Sequence, residues 1–136
     1  MVQEISSDVA QGGCYCGLVK FRFAEPAVAF VNCHCSQCRR ASGAAVTTWL
    51  CADRSGFQVD QADGALSSFV MTENVARYFC RMCGTHVYSM DARRPDIVGV
   101  PAGVLTSHIS GAPTRDYFLA DQAAWSCRDG DAASQP

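Results

Sequence analysis

Lysine is nearly absent from this 136-residue chain: Lys20 is the only one among eleven basic residues, and the others are arginines. Thirteen acidic residues bring the formal net charge to -2, so there is no strongly basic surface to hold nucleic acid or an anionic membrane. Neither is expected as a partner. A run of about eighteen apolar residues, the minimum for a membrane-spanning helix, is missing. The opening "MVQEISSDVAQGG" lacks the basic start and apolar stretch of a secretory signal, and a cytoplasmic location is the expectation. Helical periodicity is scarce too: only "SQCRRAS" (36–42) reads as a single helical turn. Hydrophobic content of 49% against 18% charged excludes wholesale disorder.

Cysteine, by contrast, is abundant, with nine in the chain. Reducing compartments disfavour structural disulfides, and an odd count would leave one thiol over. Metal binding explains the cysteines better. Between them lie segments that read as short strands. "LVKFRF" (18–23) alternates Val19, Phe21 and Phe23 with Lys20 and Arg22. Further strands are expected over 27–33, 44–52, 57–59, 65–71, 74–80 and 85–90, with turn-like "DRSG" and "DQADG" among them. Residues 96–105 should run as a strand giving way to a turn, because Gly99, Pro101 and Gly103 interrupt them. "DYFLADQAAW" (116–125) has the look of a terminal strand. These features argue for one all-β domain over residues 11–126, with 1–10 as an N-terminal extension and 127–136 as a disordered tail.

Seven cysteines fall into three groups: "CYC" (Cys14, Cys16), "CHCSQC" (Cys33, Cys35, Cys38) and "CRMC" (Cys80, Cys83). Gly84 and Gly17 follow the two pairs, as a tight knuckle around a metal requires. Cys14 and Cys16 joined to Cys80 and Cys83 make a four-thiolate structural site. The competing reading of "CRMC" as a redox pair needs a helix after its first cysteine, and "GTHVYSM" reads as strand. Cys33, Cys35 and Cys38 then stand alone. Closed structural zinc takes four protein ligands, whereas catalytic zinc keeps three and an exchangeable position. His34 lies between two ligands on an extended segment and should point away from them. Cys51 reads as a buried small hydrophobe, His86 and His108 as ordinary surface or hydrogen-bonded histidines, and Cys127 as part of the tail. An open three-thiolate zinc is the expectation.

Such a site suits a thiolate as its fourth ligand, because a coordinated thiol is deprotonated and nucleophilic at neutral pH. Attack on a small aldehyde would give a thiohemiacetal. Activation of water would call for a carboxylate base, and no H-x-E or comparable pairing stands beside these cysteines. Carboxylates on the thiol would be oriented by Arg39 or Arg40, which the same loop carries to the site, while Arg77 and Arg81 read as solvated positions.

"GGCYCGLVKFRF", "CHCSQCRRASG" and "RYFCRMCGTHVY" together resemble the glutathione-dependent formaldehyde-activating enzyme family, with which the centromere protein V domain is grouped. The order is the family's: C-x-C-G, then C-H-C-x-x-C-R, then F-C-x-x-C-G. The resemblance implies a β-tent fold and two zinc ions per chain. A structural zinc would lie on Cys14, Cys16, Cys80 and Cys83, and a catalytic one on Cys33, Cys35 and Cys38. It also implies carbon–sulfur lyase activity on a glutathione adduct of an aldehyde, such as S-hydroxymethylglutathione. The alternative from another class is a zinc-stabilised binding module without catalysis.

Overall fold

Strand β2 (Val19–Ala24) alternates as its residues require: Val19, Phe21 and Phe23 are buried, and Lys20, Arg22 and Ala24 are exposed. The computed structural model describes residues 9–126; Cys127 and the expected tail lie outside the described residues, as do residues 1–8. β2 is the middle of a three-stranded antiparallel sheet, flanked by β1 (Val9–Gly13) and by β5 (Gln58–Gln61). β1 escapes recognition in the sequence because two of its five residues are glycine. Gly12 is needed there. A Cβ on it would overlap the Val104 carbonyl oxygen and stand 2.6 Å from the Phe21 ring. Gly12→Ala is therefore expected to destabilise the domain by about 1–3 kcal/mol, the usual overpacking cost. Gly103→Ala, which meets nothing within 4 Å, should melt with the wild type.

The second sheet has seven strands. They are β3 (Ala29–Cys33), β4 (Thr47–Asp53), β6 (Leu66–Val70), β7 (Val75–Cys80), β8 (His86–Asp91), β9 (Ile97–Pro101) and β10 (Arg115–Tyr117). Their spatial order is β10-β3-β4-β9-β8-β7-β6, and only the β10–β3 pair is parallel. Among the described residues the fold is all-β apart from one helix, α1 (Ser36–Ser42), and short 3-10 turns. One face of the large sheet meets the small sheet. Leu50 and Ala52 of β4 and Val98 and Val100 of β9 close with Val19, Phe21 and Phe23 into the core, each nearly or fully buried. Removing the valine, leucine and phenylalanine side chains from water stabilises the fold by roughly 1.5–3 kcal/mol apiece.

Since successive strand residues point to opposite faces, the neighbours of these core positions occupy the other face. That face carries Cys33, Trp49, Cys51, Arg77 and Gly99, on β3, β4, β7 and β9. The terminal strand expected over 116–125 is cut short. β10 ends at Tyr117, Phe118 turns into the left-handed region (φ 57°, ψ 40°), and two 3-10 turns follow at Leu119–Asp121 and Ala124–Ser126. The reason is tertiary. The Asp121 carboxylate accepts from the Ser36 N–H at 2.8 Å, and its backbone carbonyl accepts from Arg39, so the segment is drawn over the start of α1.

Candidate metal centres and adjoining cavity

The two cysteine pairs meet between the sheets' ends. Cys14 follows β1, Cys80 closes β7, and the sulfurs of Cys14, Cys16, Cys80 and Cys83 lie within 4.8 Å of one another. Each pair turns back on itself at a glycine in the left-handed region, Gly17 at φ 86° and Gly84 at φ 82°, which a side chain would strain. The Gly17 and Gly84 N–H groups donate to the carbonyls of Cys14 and Cys80, at 3.1 and 2.7 Å. The sulfurs of Cys14 and Cys16 are 3.6 Å apart, and those of Cys16 and Cys80 3.7 Å. A tetrahedron of Zn–S bonds near 2.3 Å has edges of about 3.8 Å. The donor set fits zinc. The Thr85 hydroxyl and N–H bring the Cys83 thiol down to about 5, whereas Cys16 is pushed up to about 12: the Leu18 backbone N–H acts to lower it, but desolvation and hydrogen bonds with the other three thiols outweigh it. Burial acts to raise the Cys14 pKa, but the Val19 N–H and neighbouring thiols outweigh it.

The second cluster is built on the β3–α1 junction. Cys33 ends β3, Cys35 is the N-cap of α1, and Cys38 lies on its inner side. The N-cap role is played by sulfur: Cys35 Sγ accepts from the Cys38 N–H at 3.3 Å. The Cys33 and Cys38 sulfurs are 3.4 Å apart, and all three lie within 4.8 Å. Burial lifts the Cys33 thiol to about 12, whereas at Cys35 burial acts to raise the pKa but is outweighed by the Cys38 N–H together with the neighbouring thiols and the Gln37 N–H, so Cys35 lies below its ordinary value. Three thiols this close ionise together only around a cation, and a soft divalent ion such as zinc matches the donor set.

Among the described residues no fourth sulfur or imidazole joins this cluster. His34 turns away, its Nε2 2.9 Å from Asp116 Oδ1, and so ties the cluster's loop to β10. His108 is exposed. Cys51 lies on the same sheet face as Trp49, and burial raises its pKa. Of the arginines expected near the site, Arg39 donates through Nη1 to the carbonyls of His34 and Asp121, and Arg40 is exposed on the helix. Arg81 donates to the Gly64 carbonyl at 2.8 Å.

The sequence reading misplaced Arg77. It is 6% exposed, 3.8 Å from Cys38 Sγ through Nη2, and stacked 5.1 Å from the centre of the Trp49 ring. Nη1 lies 3.5 Å from His86 Nδ1. Burial and the Arg77 charge push the His86 pKa down to about 4, so the imidazole is neutral near pH 7. The available signal was the alternation of β7, which puts Arg77 in line with Val75 and Phe79 on a single face. A cavity of about 300 Å³ opens beside Cys38, lined also by Trp49, Arg77, Asp91, Arg94 and Phe118. A second, of about 290 Å³, lies past Arg77 between Phe69, Phe79 and His86.

Comparison with known proteins matches this arrangement to the family model described as glutathione-dependent formaldehyde-activating enzyme, over residues 9–121. A Halomonas elongata protein that carries this enzyme's name provisionally is 29% identical over 115 residues, which cover 80% of this chain and 73% of that protein. A crystal structure of a Rhodobacter sphaeroides protein has the same fold, with a TM-score of 0.60 at 23% identity. The likeness covers 76% of this chain and 97% of that one.

Proposed function

The chain belongs to the glutathione-dependent formaldehyde-activating enzyme family, and from that membership we propose that it is a zinc-dependent carbon–sulfur lyase acting on glutathione adducts of small aldehydes. The observation that carries this reading is a cluster of three cysteines, rather than four, beside a cavity. Cys33, Cys35 and Cys38 would hold the catalytic zinc, and Cys14, Cys16, Cys80 and Cys83 the structural one. When bound, zinc at the three-cysteine centre would supply a thiolate at neutral pH, because coordinated thiols lose their proton. In the forward direction the substrate sulfur attacks the aldehyde carbon and a C–S bond forms. The carbonyl π pair moves to oxygen and takes a proton, so thiol plus aldehyde gives the thiohemiacetal with no atom lost. The reverse direction is the lyase reaction.

The chain's own residues shape what binds. Formaldehyde has two heavy atoms and needs about 30–60 Å³, judged from the roughly 30 Å³ that a water takes in the liquid. The cavity is about 300 Å³. Its excess volume suits the body of the thiol, lying along Trp49 and Phe118. Since Arg39 is engaged with two backbone carbonyls, a carboxylate contact from this helix falls to Arg40. The proposed localisation is cytoplasmic; no helix among the described residues is long and apolar enough to cross a membrane.

Metal analysis of protein purified without chelator should find two zinc equivalents per chain. A mild chelator should remove one, with loss of glutathione-dependent consumption of formaldehyde but not of the fold. A single tightly held ion, with no response to glutathione, would sink the reading and leave a zinc-stabilised binding module.

A further inference from the structure

Arg77 is a buried charge without a partner of ordinary kind. Guanidinium does not lose its proton in proteins, and an uncompensated buried charge is strongly destabilising. Among the described residues no carboxylate lies within ion-pair distance of it. Asp91, which borders the same cavity, is bonded to Arg93. His86 is neutral, and Arg77 Nε has no hydrogen-bond partner. The contacts that remain are the Trp49 ring, which attracts a cation through its face, and Cys38 Sγ. The guanidinium therefore turns Nη2 toward the three-cysteine cluster, while Nη1 faces the neutral His86.

We propose that Arg77 is the fixed counter-charge of the three-cysteine centre, and that it makes the fourth position there selective for an anionic ligand, a thiolate, over water. The inference rests on the proposed thiol chemistry of that centre. Three thiolate charges against the two of a divalent ion leave one negative charge. Arg77 cancels it, so an incoming thiolate meets a neutral assembly. Without Arg77 the same ligand would have to join a site already negative, in surroundings that hydrate it poorly. Trp49 holds the guanidinium in place and is a positioning residue in the same sense. At about 6 Å and an effective dielectric of roughly 20–40, one unit charge changes thiolate affinity by about 10- to 100-fold.

The signature is a loss of thiolate binding that falls equally on charged and uncharged thiols and is spared when the charge is kept, which a merely structural arginine would not produce. Because the loaded three-thiolate centre is itself one unit negative, removing the Arg77 charge should leave metal retention equal or weaker, and thiolate binding to the loaded centre should weaken as well. The test uses the full chain with cobalt(II) in the centre, and reads the thiolate-to-metal charge-transfer absorption as glutathione or uncharged 2-mercaptoethanol is titrated. Metal content and release to a chelator are followed in parallel. In Arg77→Gln both thiols should bind about 10- to 100-fold more weakly at full cobalt occupancy, with cobalt released as fast as from wild type or faster. Arg77→Lys, which keeps the charge, should stay within about 5-fold of wild type for both thiols, and it decides the matter alone if the glutamine variant does not fold. Unchanged thiol affinity in Arg77→Gln would overturn the proposal, as would a loss in Arg77→Lys as large as that expected for glutamine. A loss for glutathione alone would also overturn it, by making Arg77 a carboxylate contact. If neither thiol altered the wild-type spectrum, the failure would lie with the proposed thiol chemistry itself.

Discussion

Cys80→Ser is expected to abolish cooperative folding at neutral pH, and strong chelation of the wild type should do the same. Cys80 is fully buried at the end of β7 and belongs to the main core cluster, as does Cys14, while the partly buried Cys83 packs against it. The four sulfurs tie the β1–β2 turn of the small sheet to the β7–β8 turn of the large one, across 64 residues between Cys16 and Cys80. Structural zinc contributes on the order of 10–16 kcal/mol in small zinc-finger peptides, against a net stability of about 5–15 kcal/mol for a typical domain. Loss of one ligand therefore removes a contribution as large as the whole. Thermal melts followed by circular dichroism, with and without chelator, check this. A variant melting within a few degrees of wild type would contradict the assignment of the four-cysteine centre.

Cys35→Ser should have the opposite profile: activity falls by about 10³-fold or more, the scale of several kcal/mol of metal-dependent stabilisation, while the melt stays near wild type. Cys33, Cys35 and Cys38 stand outside the main core cluster. Cys35 is only partly buried and serves as the N-cap of α1, a role that serine fills well. Steady-state formaldehyde consumption with glutathione, metal content and a melt on the same sample make the comparison. If Cys35→Ser and Cys80→Ser melted alike, the division between a folding centre and a working centre would be wrong.

Much of the architecture is local and was readable as such. The alternation of 18–23 and 74–80 appears as β2 and β7, and "SQCRRAS" forms α1. Glycines after both cysteine pairs mark turns that are in fact left-handed at Gly17 and Gly84. The grouping of seven cysteines into four and three matches the clusters that the structure brings together. It was legible because each group's spacing limits how its thiols converge.

Where the sequence by itself misled, the deciding partner lay far along the chain. The apolar segment 116–125 has strand-like composition, but Asp121 is held by Ser36 and Arg39 about eighty residues earlier, and the chain turns at Phe118. Arg77 looked solvated because arginine usually is. Only the pairing of β7, β8, β9 and β4 in one sheet sets Arg77 against Trp49 and brings it within reach of Cys38. Residue types and their spacing thus determined the all-β class and the cysteine groups. Tertiary structure decided which face of the large sheet carries the cavity and which arginine reaches the sulfur of Cys38. Strand register over distant residues, with one face of the sheet already committed to the core, is what sends those side chains to the other.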